Sequence, residues 1–142
     1  MEKVNEAYID SQVFIKSILG TDTDAEKARA IISAIESKQT GGHTSILTFD
    51  EVAFSVRKIA GFEKSIIAGQ YFLKIPNLTF IEATYGIIKL AQELIEKYRI
   101  RPRDAIHAAC SVHKGIKIIV SDDADFDSLK ELERKSIKDF KI

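Results

Sequence analysis

With one cysteine, Cys110, the chain can form no internal disulfide and no thiolate metal site of its own. No apolar run approaches the roughly 20 residues that a membrane-spanning helix needs. The opening Met-Glu-Lys-Val-Asn-Glu lacks the basic-then-apolar order of a signal peptide. Both absences point to a cytoplasmic protein with no membrane partner. Charge of one sign is missing as well, since 21 Lys+Arg balance 21 Asp+Glu. Net charge therefore gives no argument for nucleic-acid binding, and any such argument must be local. Gly-x-Gly-x-x-Gly, a Walker loop, Gly-x-Ser-x-Gly and His-Glu-x-x-His are all absent, which removes the usual motifs for cradling nucleotide phosphates and for zinc hydrolysis. Methionine occurs only at position 1 and Asn and Gln are few, a composition that leans toward a thermophilic source.

The 142 residues suit one compact domain, residues 1–142, and 45% hydrophobic with 30% charged residues is ordinary for a globular chain. Strand and helix signals alternate. Strands are expected at 4–9, 43–46, 78–81 and 116–120, with an edge strand near 136–140. Helices are expected at 11–19, 25–38 with Thr23 or Asp24 as cap, 49–60, 62–75, 84–98 and 104–113, and a short one near 126–132. Gly41-Gly42 reads as the break that ends the second helix, and Pro102 suits the entry to the helix carrying Asp104. Such alternation implies an α/β fold with a mainly parallel sheet covered on both faces.

The stretch Gly115–Asp127 organises the rest. Ile116 to Val120 is a β-branched run broken only by Lys117, and Asp122, Asp123, Asp125 and Asp127 come directly after it. Asp10, Glu51 and Asp104 also stand where a strand or loop meets a helix, so all of these acids converge on one edge of the sheet. Two carboxylates about 4 Å apart repel by roughly 4 kcal/mol at an effective dielectric of 20, so a group of them needs a cation or must take up protons. Oxygen ligands favour Mg²⁺ or Mn²⁺.

Each acid also has a structural reading. Asp10 can cap the first helix, and Thr48-Phe49-Asp50-Glu51 matches a capping box. Asp104 sits where a helix dipole favours an acid, and Asp122 or Asp123 can cap the short helix near 126–132. His107 shares a helix face with Asp104 but reads better as a packed, hydrogen-bonded core histidine. His43 and His113 have no partner at ligand spacing. The Asp123-Asp125-Asp127 spacing is not an EF-hand, because Ser128 stands where Gly is required and Arg134 where the bidentate Glu belongs.

Tyr-Ile-Asp-Ser-Gln-Val-Phe around Asp10, Thr-Phe-Asp-Glu-Val around Glu51, Arg-Asp-Ala-Ile-His-Ala-Ala around Asp104 and Val-Ser-Asp-Asp-Ala-Asp-Phe around Asp123 resemble, in that order, the PIN-domain ribonucleases. The similarity spans essentially the whole chain and points within that family to the VapC toxins of prokaryotic toxin-antitoxin pairs. The resemblance implies a three-layer α/β/α domain whose acidic pocket holds one or two Mg²⁺ or Mn²⁺ ions. It assigns Asp10, Glu51, Asp104 and Asp123 as metal-holding and catalytic acids, Asp125 as an auxiliary ligand and Asp122 as a variable position. It also implies a homodimer and a small antitoxin partner, for which the apolar helices at 62–75 and 84–98 offer faces. Ser11 and Ser121 stand where Thr is commoner, and Gln12 where a shorter Asn or Ser orients the first acid.

The expected activity is metal-dependent hydrolysis of RNA phosphodiesters. Ser11, Ser121, Arg57, Arg101 and Arg103 are the expected substrate contacts, with Arg99 and Lys58 nearby in sequence. The competing reading is a catalytically inactive domain of the same fold that binds RNA or protein and keeps the acids as helix caps. A haloacid-dehalogenase-like phosphatase would want a second Asp at Gln12, and a response-regulator receiver would place its acid pair early rather than at Asp122-Asp123.

Overall fold

A computed structural model describes residues 4–142; residues 1–3, where the opening that lacks a signal peptide begins, lie outside the described residues. Among the described residues the strands are β1 (Asn5–Ile9), β2 (Thr40–Ser45), β3 (Thr79–Ile81), β4 (Ile118–Val120) and β5 (Glu133–Lys135). The helices are α1 (Ser11–Leu19), α2 (Thr23–Glu36), α3 (Leu47–Ala60), α4 (Phe62–Leu73), α5 (Tyr85–Tyr98) and α6 (Pro102–His113), and a 3₁₀ turn covers Ala124–Ser128. The sheet runs β3-β2-β1-β4-β5 with every pair parallel.

Side-chain alternation along the strands makes the three layers. Ala7, Ile9 and Val120 face one core with Phe14, Ile31, Ile35, Val56 and Phe72 from α1 to α4. Tyr8, Ile81 and Ile119 face a second core with Ile87, Leu94, Ala105 and Cys110 from α5 and α6. Cys110 is a small buried residue of that second core. The parallel sheet and its two helical layers are those of a three-layer α/β/α fold.

Several boundaries differ from expectation. Gly41 and Gly42 do not end α2 but lie inside β2, paired with Glu6 and Ala7 of β1. The reason is packing: a Cβ at Gly42 would stand 2.6 Å from the Ile35 side chain, so the missing side chain lets α2 close onto the sheet. α2 is capped by Asp22, not Thr23 or Asp24, through the Ala25 N–H at 2.9 Å. The last strand is Glu133–Lys135; the stretch at 136–140 instead sends Ile137 and Phe140 into the first core. The expected helix at 126–132 is only the 3₁₀ turn.

From β1 the chain moves outward through β2 and β3, then returns to pair β4 on the other side of β1. The order therefore reverses between β1 and β4, the point beyond whose carboxyl ends an open α/β sheet leaves a crevice.

Candidate metal centre

Parallel register sets Ile9 opposite Val120, so the next residues, Asp10 and Ser121, leave the sheet side by side. The Asp10 N–H donates to the Val120 carbonyl at 3.1 Å. The Ser121 hydroxyl donates to Asp10 Oδ2 at 2.6 Å, and the Ser11 N–H donates to Oδ1 at 2.8 Å. Asp10 thus caps α1 with one oxygen while the other is pinned by the residue that ends β4.

Glu51 is not part of a capping box. α3 begins at Leu47 after Ile46, with no side-chain cap, and the Thr48 hydroxyl is buried against Thr44 Oγ1 at 2.7 Å. One turn inside the helix, Glu51 reaches across instead. Its Oε2 accepts from the Ser11 hydroxyl at 3.1 Å and its Oε1 from His107 Nε2 at 2.5 Å. His107 is fully buried, and its Nδ1 lies 2.6 Å from the Tyr8 hydroxyl. It is therefore a hydrogen-bonded core histidine, as expected, and it also supports Glu51 and lies 3.7 Å from Asp10 Oδ1.

The other half of the site is built on α6 and the loop after β4. Pro102 opens α6 and places Asp104 in its first turn, buried. Asp123 caps the 3₁₀ turn through the Asp125 N–H at 2.9 Å. One oxygen each from Asp104, Asp123 and Asp125 lies within 4.8 Å of the others. The Arg101 guanidinium crosses this group, donating from Nε to Asp104 at 3.1 Å and from Nη2 to Asp123 at 2.8 Å, with Asp125 at 3.7 Å. Glu51, Arg101, Pro102, Arg103 and Asp104 line a cavity of about 500 Å³ beside it.

These electrostatics are unequal. Burial and the charge of Asp123 push the Asp104 carboxyl up against the pull of Arg101, with Asp10 adding to the rise. Burial also works to raise Glu51, but the hydrogen bond and charge of His107 and the Ser11 hydroxyl outweigh it and hold the carboxyl low. Burial opposes a charged His107, yet its bond to Glu51 and the charges of Asp10, Glu51 and Asp104 raise it. Glu51 and His107 thus form a buried ion pair, while Asp104 resists ionisation.

The donor set fits a hard divalent cation. All of the candidate ligands are carboxylate oxygens, and two oxygens on one Mg²⁺ stand at most about 4.2 Å apart, twice a bond of about 2.1 Å. The spread of the Asp104, Asp123 and Asp125 oxygens is close to that limit.

Ser11 and Ser121 lie at the pocket, but both hydroxyls are engaged with acids; Ser121 Oγ also accepts the Asp123 N–H at 3.0 Å. Arg103 reaches toward Asp50 at 3.8 Å and lines the cavity. Arg57 is not brought to the acids: it stacks over the Phe62 ring at 5.3 Å and lines a separate groove between α3 and α4. Gln12 accepts the Asp122 N–H at 3.1 Å, leaving Ser11 and Ser121 to orient Asp10. Asp122 ties the structure together through Lys16 at 2.8 Å and the Ile137 N–H at 2.9 Å. Sequence reading missed the Tyr8–His107–Glu51 chain and the Lys16–Asp122 pair; only the three-residue spacing of Asp104 and His107 hinted at the first.

Comparison with known proteins agrees with this architecture. Ribonuclease VapC2 of Methanocaldococcus jannaschii is 27% identical over 143 aligned residues, spanning 91% of this chain and 92% of the relative. The structure resembles VapC20 of Mycobacterium tuberculosis, a sarcin-ricin loop cleaving toxin, with a TM-score of 0.72 at 18% identity over 86% of this chain and 93% of that one. It also resembles VapBC2 of Rickettsia felis bound to a DNA fragment from its promoter, with a TM-score of 0.72 at 15% identity over 92% and 98% of the two chains. The family model of the PIN domain matches residues 7–132, and the chain belongs to that family.

Proposed function

We propose that the chain is a metal-dependent endoribonuclease, hydrolysing RNA phosphodiester bonds at Asp10, Glu51, Asp104 and Asp123, and that it is the toxin of a toxin-antitoxin pair. The observation that carries this reading is the meeting of acids from four distant parts of the chain at the reversal of strand order, with Asp104 held in a state that resists ionisation. Scattered helix caps would need neither. The ribonuclease name and the chain-long match of the archaeal relative support the activity.

Asp104, Asp123 and auxiliary Asp125 would hold the ion from one side, with Asp10 and Glu51 facing it from the other. Bound there, Mg²⁺ or Mn²⁺ acidifies a water for attack and neutralises charge on the phosphate. The chain's own residues prepare the place. Ser121 and the Ser11 N–H fix Asp10, and charged His107 keeps Glu51 ionised and aimed. Arg101 and Arg103, both largely exposed at the mouth, supply positive charge for an approaching phosphate. Arg57, farther along α3, meets the RNA only outside the pocket.

The antitoxin surface we assign is the groove between α3 and α4. There Phe54, Phe62, Ile67 and Leu73 are more than half exposed, more apolar surface than a lone chain ordinarily leaves in water. Several structural relatives are toxin–antitoxin complexes, among them VapBC of Salmonella typhimurium bound to DNA, with a TM-score of 0.73 at 12% identity over 94% of this chain and 99% of that one. A second copy is the other proposed partner, through the remaining apolar side chains of α4 and α5. The proposed RNA substrate places the action in the cytoplasm.

Protection against heat separates this reading from an inactive domain that keeps its acids as caps. Mn²⁺ at 100 times its dissociation constant should stabilise the folded protein by about 2.7 kcal/mol. The gain should vanish in the double variant Asp10→Asn/Asp123→Asn. An unchanged melting temperature over a full Mn²⁺ titration of the wild type would favour the inactive domain.

A further inference from the structure

We infer that Arg101 is a built-in occupant of the cation position, bridging the acids when metal is absent and giving way when metal binds. This inference rests on the metal-dependent reading above. The guanidinium engages the same three carboxylates whose oxygens converge: Asp104 at 3.1 Å, Asp123 at 2.8 Å and Asp125 at 3.7 Å. A planar fork of N–H donors matches two carboxylates at once and relieves their mutual repulsion, the task a divalent ion would perform. The fork and an ion of like sign cannot sit together among the same oxygens without strong repulsion.

The side chain is free to leave. Arg101 is the residue before α6, its backbone is extended, and its side chain is 70% exposed, so release breaks only contacts to the acids. His107 offers no such freedom, because it is fully buried and held at both ring nitrogens. Once released, Arg101 stands at the mouth of the 500 Å³ cavity beside Arg103, where an RNA phosphate would enter. One residue would thus keep the metal-free acids together and then contribute charge toward the substrate.

The test is calorimetric titration of Mn²⁺ into chelator-stripped wild type, Arg101→Ala and Arg101→Lys, with the Arg101 Nε resonance followed by NMR as Mg²⁺ is added to the wild type. Losing two exposed ionic contacts should make Arg101→Ala bind Mn²⁺ roughly 2- to 30-fold more tightly. Arg101→Lys should fall between, because an ammonium cannot fork two carboxylates. The Nε signal should pass from restrained to mobile as Mg²⁺ saturates. Equal or weaker binding by Arg101→Ala, with wild-type binding intact, would overturn the inference and leave the metal site standing. Absence of saturable binding in all three proteins would overturn the metal reading and this inference with it. Should Arg101→Ala not fold, the Nε signal decides: staying restrained at saturating Mg²⁺ overturns the inference.

Discussion

Ser121 carries more of the site than its size suggests. Its hydroxyl donates to Asp10 and accepts from the Asp123 N–H, so one oxygen fixes two acids, one after β1 and one after β4. Ser121→Ala should lower Mn²⁺ affinity by about 10- to 100-fold, the usual cost of losing a group that orients a ligand, and calorimetry reads this directly. Asp104 behaves in the opposite sense. Its raised carboxyl means that ionisation works against the fold, so Asp104→Asn should raise the melting temperature at neutral pH in chelator while weakening Mn²⁺ binding. The His107–Glu51 pair sets a pH window. His107, raised in the fold, stabilises fully below its unfolded value of about 6.5, and this is lost as pH rises through its folded value. Glu51, lowered in the fold, stabilises above about pH 4.3, and this is lost only as pH falls through its folded value. Melting temperature in chelator should therefore decline from near pH 6.5 upward in the wild type, and more weakly in His107→Gln. The acids were legible in the sequence because each stands where a strand or loop gives way to a helix. The bridging of Arg101 was not, because no spacing tells which way a long side chain turns across a helix entry. Glu51 misled for a related reason: α3 starts before the apparent capping box, so Thr48 is spent on Thr44.

At the scale of elements, close approach between α2 and β2 decides what glycine is for. Gly42→Ala would press a methyl group onto the fully buried Ile35 and should cost about 1–3 kcal/mol, as overpacking does. Denaturant unfolding measures it, and Ile35→Val in the same protein should recover part of the loss. The same approach explains why β2 was harder to read than the helices. Thr-Gly-Gly-His-Thr-Ser carries no apolar alternation, and only its pairing with β1 and β3 makes it a strand. Amphipathic helices such as α5, with Ile87, Ala91 and Leu94 on its buried face, announce themselves locally. β5 failed for the reason β2 did: Glu-Arg-Lys has no apolar member, while Ile137 and Phe140, which are apolar, serve the core beyond it.

For the molecule as a whole, the two cores on opposite faces of one sheet hold β1 and β4 in register and therefore hold Asp10 beside Ser121. Phe72 is the keystone of the first core, wedged edge-on against Phe14 at 4.9 Å and Phe80 at 5.3 Å. Phe72→Ala should cost about 3–5 kcal/mol in urea unfolding. The alternation of strand and helix made the layered fold legible, and the reversal of strand order at β1 and β4 explains why acids from opposite ends of the chain share one crevice. The measurement that bears most directly on the account is cleavage of a mixed pool of structured and single-stranded RNAs with Mn²⁺, by the wild type and Asp10→Asn, each beside a chelator control. The account predicts fragments only from the wild type with metal. Fragments that persist in chelator or in Asp10→Asn, or an intact pool in every lane, would contradict it.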